Sequence, residues 1–159
     1  MEWPTAFYAR RRGEGCAFCE QGRPDETPYG IRYFAGGVVD AYLQRAAIQR
    51  GYSVVVWRGR HVVEPTDLEP AEAALFWSEL LAVGRALIEC LEPVKLNYNL
   101  LGNSLPHLHA HVIPRFAIDP RPEWPFPFPE EEQEPFPEAE LRMDVERLRA
   151  AISGGGRPS

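Results

Sequence analysis

Three of the four histidines of the chain lie in one seven-residue run, His107-Leu108-His109-Ala110-His111-Val112-Ile113. Imidazole is substantially unprotonated at neutral pH, so it can act as a nucleophile, a general base or a metal ligand. Side chains alternate between the two faces of a β-strand, and the run therefore predicts three imidazoles on one face of a strand. A plain polar outer face would not require histidine, because threonine, lysine or serine would serve equally well.

Two chemistries fit such a row of imidazoles. In the first, all three hold a catalytic metal, as in three-histidine zinc sites. In the second, one imidazole attacks phosphorus and forms a labile phosphoramidate that water then breaks, while its neighbours orient it and hydrogen-bond the phosphoryl oxygens. The residue types alone leave both chemistries open.

A second cluster of reactive side chains lies near the start of the chain, where Cys16-Ala17-Phe18-Cys19 has the spacing of half a structural zinc site. The chain has three cysteines, an odd number that does not indicate a disulfide framework. We interpret Cys90 as an ordinary packed thiol. A thioredoxin-like role is disfavoured, because that motif opens a helix directly after a strand and here several glycines surround the pair. Two plain loop thiols remain the alternative to a metal site.

Five strands and two long helices are predicted to position these residues. The predicted strands cover residues 31–35, 38–43, 52–57, 94–99 and 107–113. The predicted helices run from Pro70 to about Cys90, with a stripe of apolar residues at helical spacing, and from about Pro137 to Ile152. Gly36-Gly37 predicts a two-residue hairpin turn, Pro114 is expected to end the last strand, and residues 1–30 are expected to be loop-like.

Composition narrows the classes of function. The chain has 159 residues, 45% of them hydrophobic, which predicts one compact domain with a real core. A formal charge of -6 disfavours binding to long nucleic acid but permits a small anionic ligand in a locally positive pocket. The sequence lacks an apolar run long enough to span a membrane and a recognisable secretory signal, so we expect a cytoplasmic protein with no membrane partner. The proline- and aromatic-rich segment 117–137 is expected to lie across the domain or across a partner subunit.

The histidine run resembles the motif of the histidine triad (HIT) family, in which three histidines alternate with hydrophobic residues and two further hydrophobic residues follow. Residues 95–97 and 101–106 before the run and Pro114-Arg115 after it are also similar to bacterial, zinc-containing members, and the resemblance covers residues 10–115. It implies an α+β fold with an antiparallel sheet of about five strands, one long helix and a C-terminal helix, and it implies a homodimer. We expect a single domain over residues 1–159, with a core over about 10–116 and a C-terminal extension and helix over 117–159.

The resemblance also implies a function, the hydrolysis of nucleotides, and a role for each member of the site. His109 would attack the α-phosphate of a dinucleoside polyphosphate or nucleoside phosphoramidate, and His111 would bind the phosphate region and support His109. Three polar residues match positions that contact phosphates in relatives: Asn97, Asn103 and Ser104. Turn chemistry is an equally good explanation of Asn103. The nucleoside is expected between the early strands and the long helix, in a cleft for which four residues are candidates that would otherwise be plain core: Tyr33, Phe34, Val39 and Leu43.

The cysteine pair needs two further ligands: His61 is the one histidine outside the run, and the resemblance implies His107 as the fourth ligand. The resulting site of Cys16, Cys19, His61 and His107 would hold a structural Zn²⁺ that ties the N-terminal segment to the catalytic strand. Three rivals remain to nucleotide hydrolysis. The same covalent intermediate would serve a nucleotidyltransferase or phosphorylase, the three strand histidines would serve a mononuclear zinc hydrolase, and a non-catalytic nucleotide-binding zinc protein would use none of this chemistry.

Overall fold

The computed structural model describes residues 2–119, 122–125 and 133–154. Five strands are present: β1 (Gly30–Ala35), β2 (Val39–Gln44), β3 (Ser53–Trp57), β4 (Lys95–Asn99) and β5 (His109–Arg115). The helices are α1 (Thr5–Arg11), α2 (Ala17–Glu20), α3 (Pro70–Leu91) and α4 (Glu138–Gly154). Among the residues so described, the long helix and the final helix begin and end within two residues of the predicted positions.

The five strands form one sheet in the order β1-β2-β3-β5-β4, and every neighbouring pair is antiparallel. The predicted α+β architecture is therefore confirmed. β5 lies inside the sheet, so that His109 is beside Val56 of β3 and His111 lies between Val54 of β3 and Asn99 of β4. Strand pairing, with β3 alone at His109 and with both neighbours at His111, fixes the direction in which these two imidazoles leave the backbone.

One face of the sheet is covered by helices. The predicted apolar stripe of α3, residues Phe76, Leu80, Val83 and Leu87, is buried in one hydrophobic core with the alternate residues of β2, β3 and β5. Leu141, Val145 and Leu148 of α4 join this core. Gly84 permits the close approach of α3 to β4, because a Cβ atom there would overlap the hydroxyl group of Tyr98.

The predicted start and end of the histidine strand are both wrong. The strand β5 begins at His109, so His107 precedes it. Just before the strand, the backbone N–H of Leu108 donates to the carbonyl of Val62 in the loop after β3. At the other end β5 continues through Pro114, which lies opposite Leu96 of β4. Proline has no backbone N–H, and this is tolerated at position 114 because of the side that the N–H would face. Neighbouring Arg115 bonds toward β4, so an N–H on residue 114 would point toward β3, whose pairing with β5 has already ended.

The Gly36-Gly37 turn is also not the predicted two-residue hairpin. Neither glycine has a positive φ, and the last paired residues of β1 and β2 are Ala35 and Asp40. Instead, the carboxylate of Glu79 on α3 accepts hydrogen bonds from three consecutive N–H groups of the turn, at 2.7–3.0 Å. A Cβ atom on Gly36 would overlap that carboxylate. Glycine is therefore needed here to leave space for the Glu79 side chain, and not to adopt a positive φ.

The N-terminal segment is more ordered than predicted, because residues 1–30 include α1 and α2. Helix α1 buries no residue, and α2 is a single turn that starts directly after Cys16, so neither has the apolar periodicity on which a prediction depends. Cys16-x-x-Cys19 therefore does open a short helix, contrary to expectation, although no strand precedes it among the described residues.

The end of the proline-rich segment packs on its own chain, whereas Ile118 and Trp124 are exposed. Phe136 packs against the core and its N–H donates to the carbonyl of Arg45, while Pro135 bridges to Ala46. Residues 120–121, 126–132 and 155–159 lie outside the described residues. Within residues 2–119, 122–125 and 133–154, no helix is both long enough and apolar enough to cross a membrane.

Candidate active site and metal centre

His109 and His111 lie on the face of the sheet opposite α3 and line two adjoining cavities. The larger, about 400 Å³, has a largely apolar wall that includes Phe18, Tyr42 and Val56. The smaller, about 360 Å³, is formed by the loop of residues 101–105. Both cavities share Tyr52 and Leu105 in addition to the two histidines. A ligand that extends from one cavity into the other would therefore pass both imidazoles.

The tautomer of His109 follows from its backbone contact. Its Nδ1 lies 2.6 Å from the carbonyl oxygen of His107, and a carbonyl only accepts hydrogen bonds, so Nδ1 carries the proton. Burial lowers the pKa of His109, and the hydrogen bond to His107 opposes that shift in part. The neutral ring then has its lone pair on Nε2, as a nucleophile requires.

His111 is beside His109, with ring centroids 4.9 Å apart and planes inclined at 70°. Its Nδ1 lies 2.7 Å from the hydroxyl oxygen of Tyr52. Burial, with a smaller contribution from His109, lowers the pKa of His111 to about 4. Both imidazoles are thus uncharged at neutral pH.

His107 has a different environment, in a cluster with Cys16, Cys19 and His61 in which the ligand atoms lie within 4.8 Å of one another. The Nε2 of His107 is 2.8 Å from the carbonyl oxygen of Trp57 and must donate to it, which leaves the lone pair of Nδ1 facing the two sulfur atoms at 3.4 and 3.5 Å. The Nδ1 of His61 lies 3.4 Å from the sulfur of Cys19. Two sulfur atoms and two nitrogen atoms that converge in this way match the ligand set of tetrahedral zinc.

The charge balance of the cluster also suits a cation. Burial and the adjacent Cys16 raise the pKa of the Cys19 thiol to about 11, so the two sulfur atoms would not both ionise without a compensating positive charge. The Nε2 of His61 is buried with no hydrogen-bond partner among the described residues. A buried unpaired nitrogen costs about 1–3 kcal/mol, and this cost is separate from any metal bond at Nδ1, the nitrogen that faces the sulfur of Cys19.

The histidine run is matched by a known domain family. Residues 34–118 match the HIT domain, and this match covers more than half of the chain. The chain belongs to the HIT domain family. Among solved structures, a histidine triad protein from Sinorhizobium meliloti 1021 is 29% identical, with a TM-score of 0.66 over 75% of this chain and 87% of that one.

Two other HIT structures extend the comparison. A histidine triad protein from Bradyrhizobium japonicum is 28% identical, with a TM-score of 0.67 over 77% of this chain and 90% of its own. A zinc-bound histidine triad family protein from Mycobacterium smegmatis is 24% identical, with a TM-score of 0.64 over 88% and 94% of the two chains, and shows the same fold. No curated protein matches the sequence.

The three histidines of the HIT motif do not share one strand face, contrary to the prediction. Within the described residues His107 joins the cysteine cluster, and the Nδ1 atoms of His109 and His111 already have partners. A mononuclear metal site made from all three is therefore disfavoured by this geometry. The arrangement suits one nucleophile and one supporting imidazole.

The three predicted phosphate-contact residues separate in the structure. Asn103 and Ser104 are exposed and line the smaller cavity with the two histidines. Asn97 is not among the residues found to line either cavity, and its Oδ1 accepts a hydrogen bond from Arg115 at 3.4 Å. Asn99, which the sequence analysis did not select, is the β4 residue directly beside His111.

The predicted location of the nucleoside cleft is wrong. Tyr33, Val39 and Leu43 are buried in the hydrophobic core and Phe34 packs against it, on the helix-covered side of the sheet. The cavities lie on the other side, and their aromatic wall includes Phe18, Tyr42 and Tyr52, which were missed. The alternation of β2 and β3 contains this signal, because the residues between the core positions must face the opposite side.

Asp40 is a further feature that sequence reasoning missed. Its carboxylate is fully buried and bonds to the guanidinium groups of Arg23 and Arg58 at 2.7–3.2 Å. Arg58 also donates to the carbonyl of Phe18 at 3.1 Å and to the hydroxyl of Tyr42 at 3.2 Å. This network holds α2 against the sheet. The Phe18 ring there contacts His107 and His109, with centroids at 5.4 and 5.5 Å.

Proposed function

We propose that this protein is a nucleotide hydrolase that attacks the α-phosphate of a dinucleoside polyphosphate or a nucleoside phosphoramidate and releases a nucleoside monophosphate. The observation that carries the proposal is the bond from Nδ1 of His109 to the carbonyl of His107. It supports a neutral His109 with a free lone pair on Nε2, in a wall common to two cavities. Membership of the HIT family supports a nucleotide as the ligand.

In the first step, the lone pair of His109 Nε2 forms a bond to phosphorus, and the bond from phosphorus to the leaving group breaks. The leaving group takes the electron pair of that bond together with a proton from solvent, so that a phosphate or amine departs protonated. The proton on Nδ1 stays, so the ring becomes a cation whose charge the His107 carbonyl, 2.6 Å away, stabilises. His111 would donate a hydrogen bond to a phosphoryl oxygen during this step.

In the second step, a water oxygen bonds to phosphorus, and the nitrogen–phosphorus bond breaks. The electron pair of that bond returns to Nε2 of His109, and the proton that the water loses passes to solvent. The cationic ring of the adduct is a good leaving group, which explains why a phosphoramidate of this kind is labile. The products are a nucleoside monophosphate and the original neutral His109.

The two cavities suggest how the substrate lies. The wall of Phe18, Tyr42 and Val56 suits a nucleoside, because base and ribose present flat and apolar surface to aromatic and aliphatic side chains. We assign the phosphate contacts to Asn103 and Ser104, in the loop that lines the smaller cavity beside both histidines. Asn97 stays a weaker candidate, since its amide oxygen already bonds Arg115.

We further propose that Cys16, Cys19, His61 and His107 hold a structural Zn²⁺. All four positions of a tetrahedral site would be filled by the protein, and zinc would supply cross-linking rather than catalysis. The zinc-bound HIT structure from Mycobacterium smegmatis supports this choice of metal.

We also propose that the protein is a homodimer. β4 is an edge strand of the sheet, and apolar side chains on the outer side of the adjacent α3 are half-exposed, among them Trp77, Leu81 and Ile88. A second copy would cover both features. Sedimentation tests this directly, since Leu81→Glu should convert a dimer into a monomer, and a monomeric wild type would contradict the proposal.

The decisive experiment incubates wild type and His109→Ala with adenylated and guanylated polyphosphates and phosphoramidates. Wild type should form a nucleotidyl adduct on His109, detected by mass spectrometry after acid-free quenching, and should release nucleoside monophosphate. His109→Ala should do neither, and Cys90→Ser, a thiol outside both sites, should behave as wild type. A wild type that neither forms the adduct nor releases monophosphate would rule out the proposed activity.

The same assay distinguishes hydrolysis from phosphorolysis or transfer. Addition of inorganic phosphate should leave a nucleoside monophosphate as the product of a hydrolase. A nucleoside diphosphate as the main product would instead show that phosphate resolves the adduct. Nucleotide binding that survives in His109→Ala, without turnover by wild type, would favour the non-catalytic alternative.

A further inference from the structure

Tyr52, whose hydroxyl contacts His111, has no role in the two steps of the proposed mechanism. Tyr52 lies just before β3, and both its backbone groups are bonded, N–H to Gln49 and carbonyl to Gln44. The preceding Gly51 has φ 80°, and a Cβ atom there would overlap Leu91, so the chain enters this position through a conformation that only glycine fits. The backbone of Tyr52 is therefore held firmly.

The ring of Tyr52 stacks beside that of His111, with centroids 5.9 Å apart and planes inclined at 27°. Its hydroxyl oxygen is 2.7 Å from Nδ1 of His111, a short hydrogen bond between neutral groups. Burial raises the pKa of Tyr52 and lowers that of His111, so at neutral pH both rings are uncharged.

Chemistry sets the direction of this hydrogen bond. A phenol hydroxyl is a more acidic donor than the N–H of neutral imidazole, and an imidazole lone pair is a far better acceptor than a phenol oxygen. The favoured arrangement therefore has Tyr52 donating its proton to Nδ1 of His111.

We propose that the Tyr52 hydroxyl holds His111 in the tautomer with its proton on Nε2, which makes Tyr52 a positioning residue for His111. A neutral imidazole carries one proton, and a ring that accepts at Nδ1 must donate at Nε2. This inference rests on the proposed function only for its purpose, which is to supply an N–H donor to the phosphoryl group.

The two neighbouring imidazoles then present opposite chemistry to the cavity. His109 has its proton on Nδ1, held by the carbonyl of His107, and a lone pair on Nε2. His111 has its lone pair on Nδ1, held by Tyr52, and a proton on Nε2. One ring can bond phosphorus while the other hydrogen-bonds a phosphoryl oxygen. In the other tautomer His111 would turn a lone pair toward that oxygen and repel it.

The test reads the tautomer directly, by long-range ¹H–¹⁵N correlation spectra of the metal-loaded protein at pH 7 with ¹⁵N-labelled histidine. His111 is assigned by its loss in His111→Asn. Wild type should show Nδ1 of His111 unprotonated and Nε2 protonated. Tyr52→Phe, which keeps the stacked ring and removes only the hydroxyl, should shift the ring to a mixture of tautomers or to the Nδ1–H form.

The matched control is Tyr33→Phe. It also removes a buried phenol hydroxyl, one that donates to Ser53 at 2.9 Å on the helix-covered side of the sheet. Tyr33→Phe should leave the His111 tautomer and kcat unchanged. Tyr52→Phe should lower kcat about five- to tenfold, the effect of one hydrogen bond, and change the KM for the nucleotide by less than about twofold.

The outcomes separate this inference from the proposed function. An Nδ1–H tautomer of His111 in wild type, or an unchanged tautomer in Tyr52→Phe, overturns the role of Tyr52 whatever the enzyme does. A kcat that falls equally in Tyr33→Phe also overturns it, because the effect would then be structural. If the tautomer shifts as expected and yet wild type forms no adduct, the hydrolase proposal fails and the assignment of Tyr52 stands.

Discussion

The two ends of the histidine run lie in contrasting surroundings, although only three residues separate His107 from His111. At the first end, Nε2 of His107 donates a hydrogen bond to the backbone carbonyl of Trp57, and Nδ1 is left to face two cysteine sulfurs. At the second end, Nδ1 of His111 is bonded to the hydroxyl of Tyr52. Sequence spacing brings the imidazoles together, and the partner of one ring nitrogen then decides what the other nitrogen can do.

The largest expected effect on stability comes from a substitution in the metal cluster around His107. Cys16→Ser should abolish stoichiometric metal and lower the free energy of unfolding by about 4 kcal/mol or more, as loss of a structural metal does. Metal analysis and thermal unfolding measure both. Cys90→Ser is the matched control and should keep metal and stability, because Cys90 lies outside the cluster at the end of α3. Equal metal content in the two variants would refute a metal centre at Cys16.

The next largest effect is expected for a substitution of His111, which should lower activity and leave metal binding intact. His111→Asn should retain metal and fold normally, but lose about 10²-fold in kcat, as expected for one removed donor to a charged transition state. Steady-state kinetics and metal analysis on the same preparation provide the comparison. Loss of metal in His111→Asn would show that the two ends are not separable.

A pH titration of stability sharpens the contrast further. The pKa of His111 in the folded protein is about 4, below its ordinary value near 6.5. Between these two pH values His111 is protonated in the unfolded chain and neutral in the folded chain, which favours unfolding. Stability from this group is complete above pH 6.5 and is lost as the pH falls toward 4. Wild type should therefore lose about 2 kcal/mol more than His111→Asn across this interval in denaturant titrations. Parallel curves would contradict a buried neutral His111.

The smallest expected effect is on stability alone, from a substitution of Glu79 on the helix-covered side of the sheet, away from both His107 and His111. Glu79→Gln should lower the free energy of unfolding by about 1 kcal/mol, because an amide replaces the carboxylate that accepts three N–H bonds from the turn after β1. Metal content and kcat should stay at wild-type values. Glu89→Gln, on the exposed side of the same helix, should change none of the three quantities.

Periodicity predicted the fold well because burial on the helix-covered face obeys a simple rule. The stripe from Phe76 to Leu87 and the alternation in β3 each need only one apolar partner surface. The same rule misplaced the cavity, since Tyr33 and Leu43 fit a core as well as a cleft. Glu79 explains why the glycine pair misled, because a distant carboxylate replaced the local turn chemistry on which the prediction relied.

The site was predicted unevenly for a related reason. The family motif predicted roles for His107, His109 and His111, and the Cys-x-x-Cys spacing predicted Cys16 and Cys19 as metal ligands, because those residue types are rare and their spacing is specific. Tyr52, Asn99 and Asp40 carry no such signal, since each resembles an ordinary strand residue until the register shows what lies beside it. Hydrogen-bond partners across the sheet are three-dimensional information that one sequence does not contain.

Phe18 gives the metal centre a practical importance for anyone who purifies this protein. Its ring forms part of the cavity wall, and it lies in the chain between Cys16 and Cys19, two members of the candidate metal cluster. Air oxidation of that pair would displace an aromatic surface on which a base is expected to rest. An oxidised preparation would then bind its nucleotide poorly, although His109 and His111 remained intact.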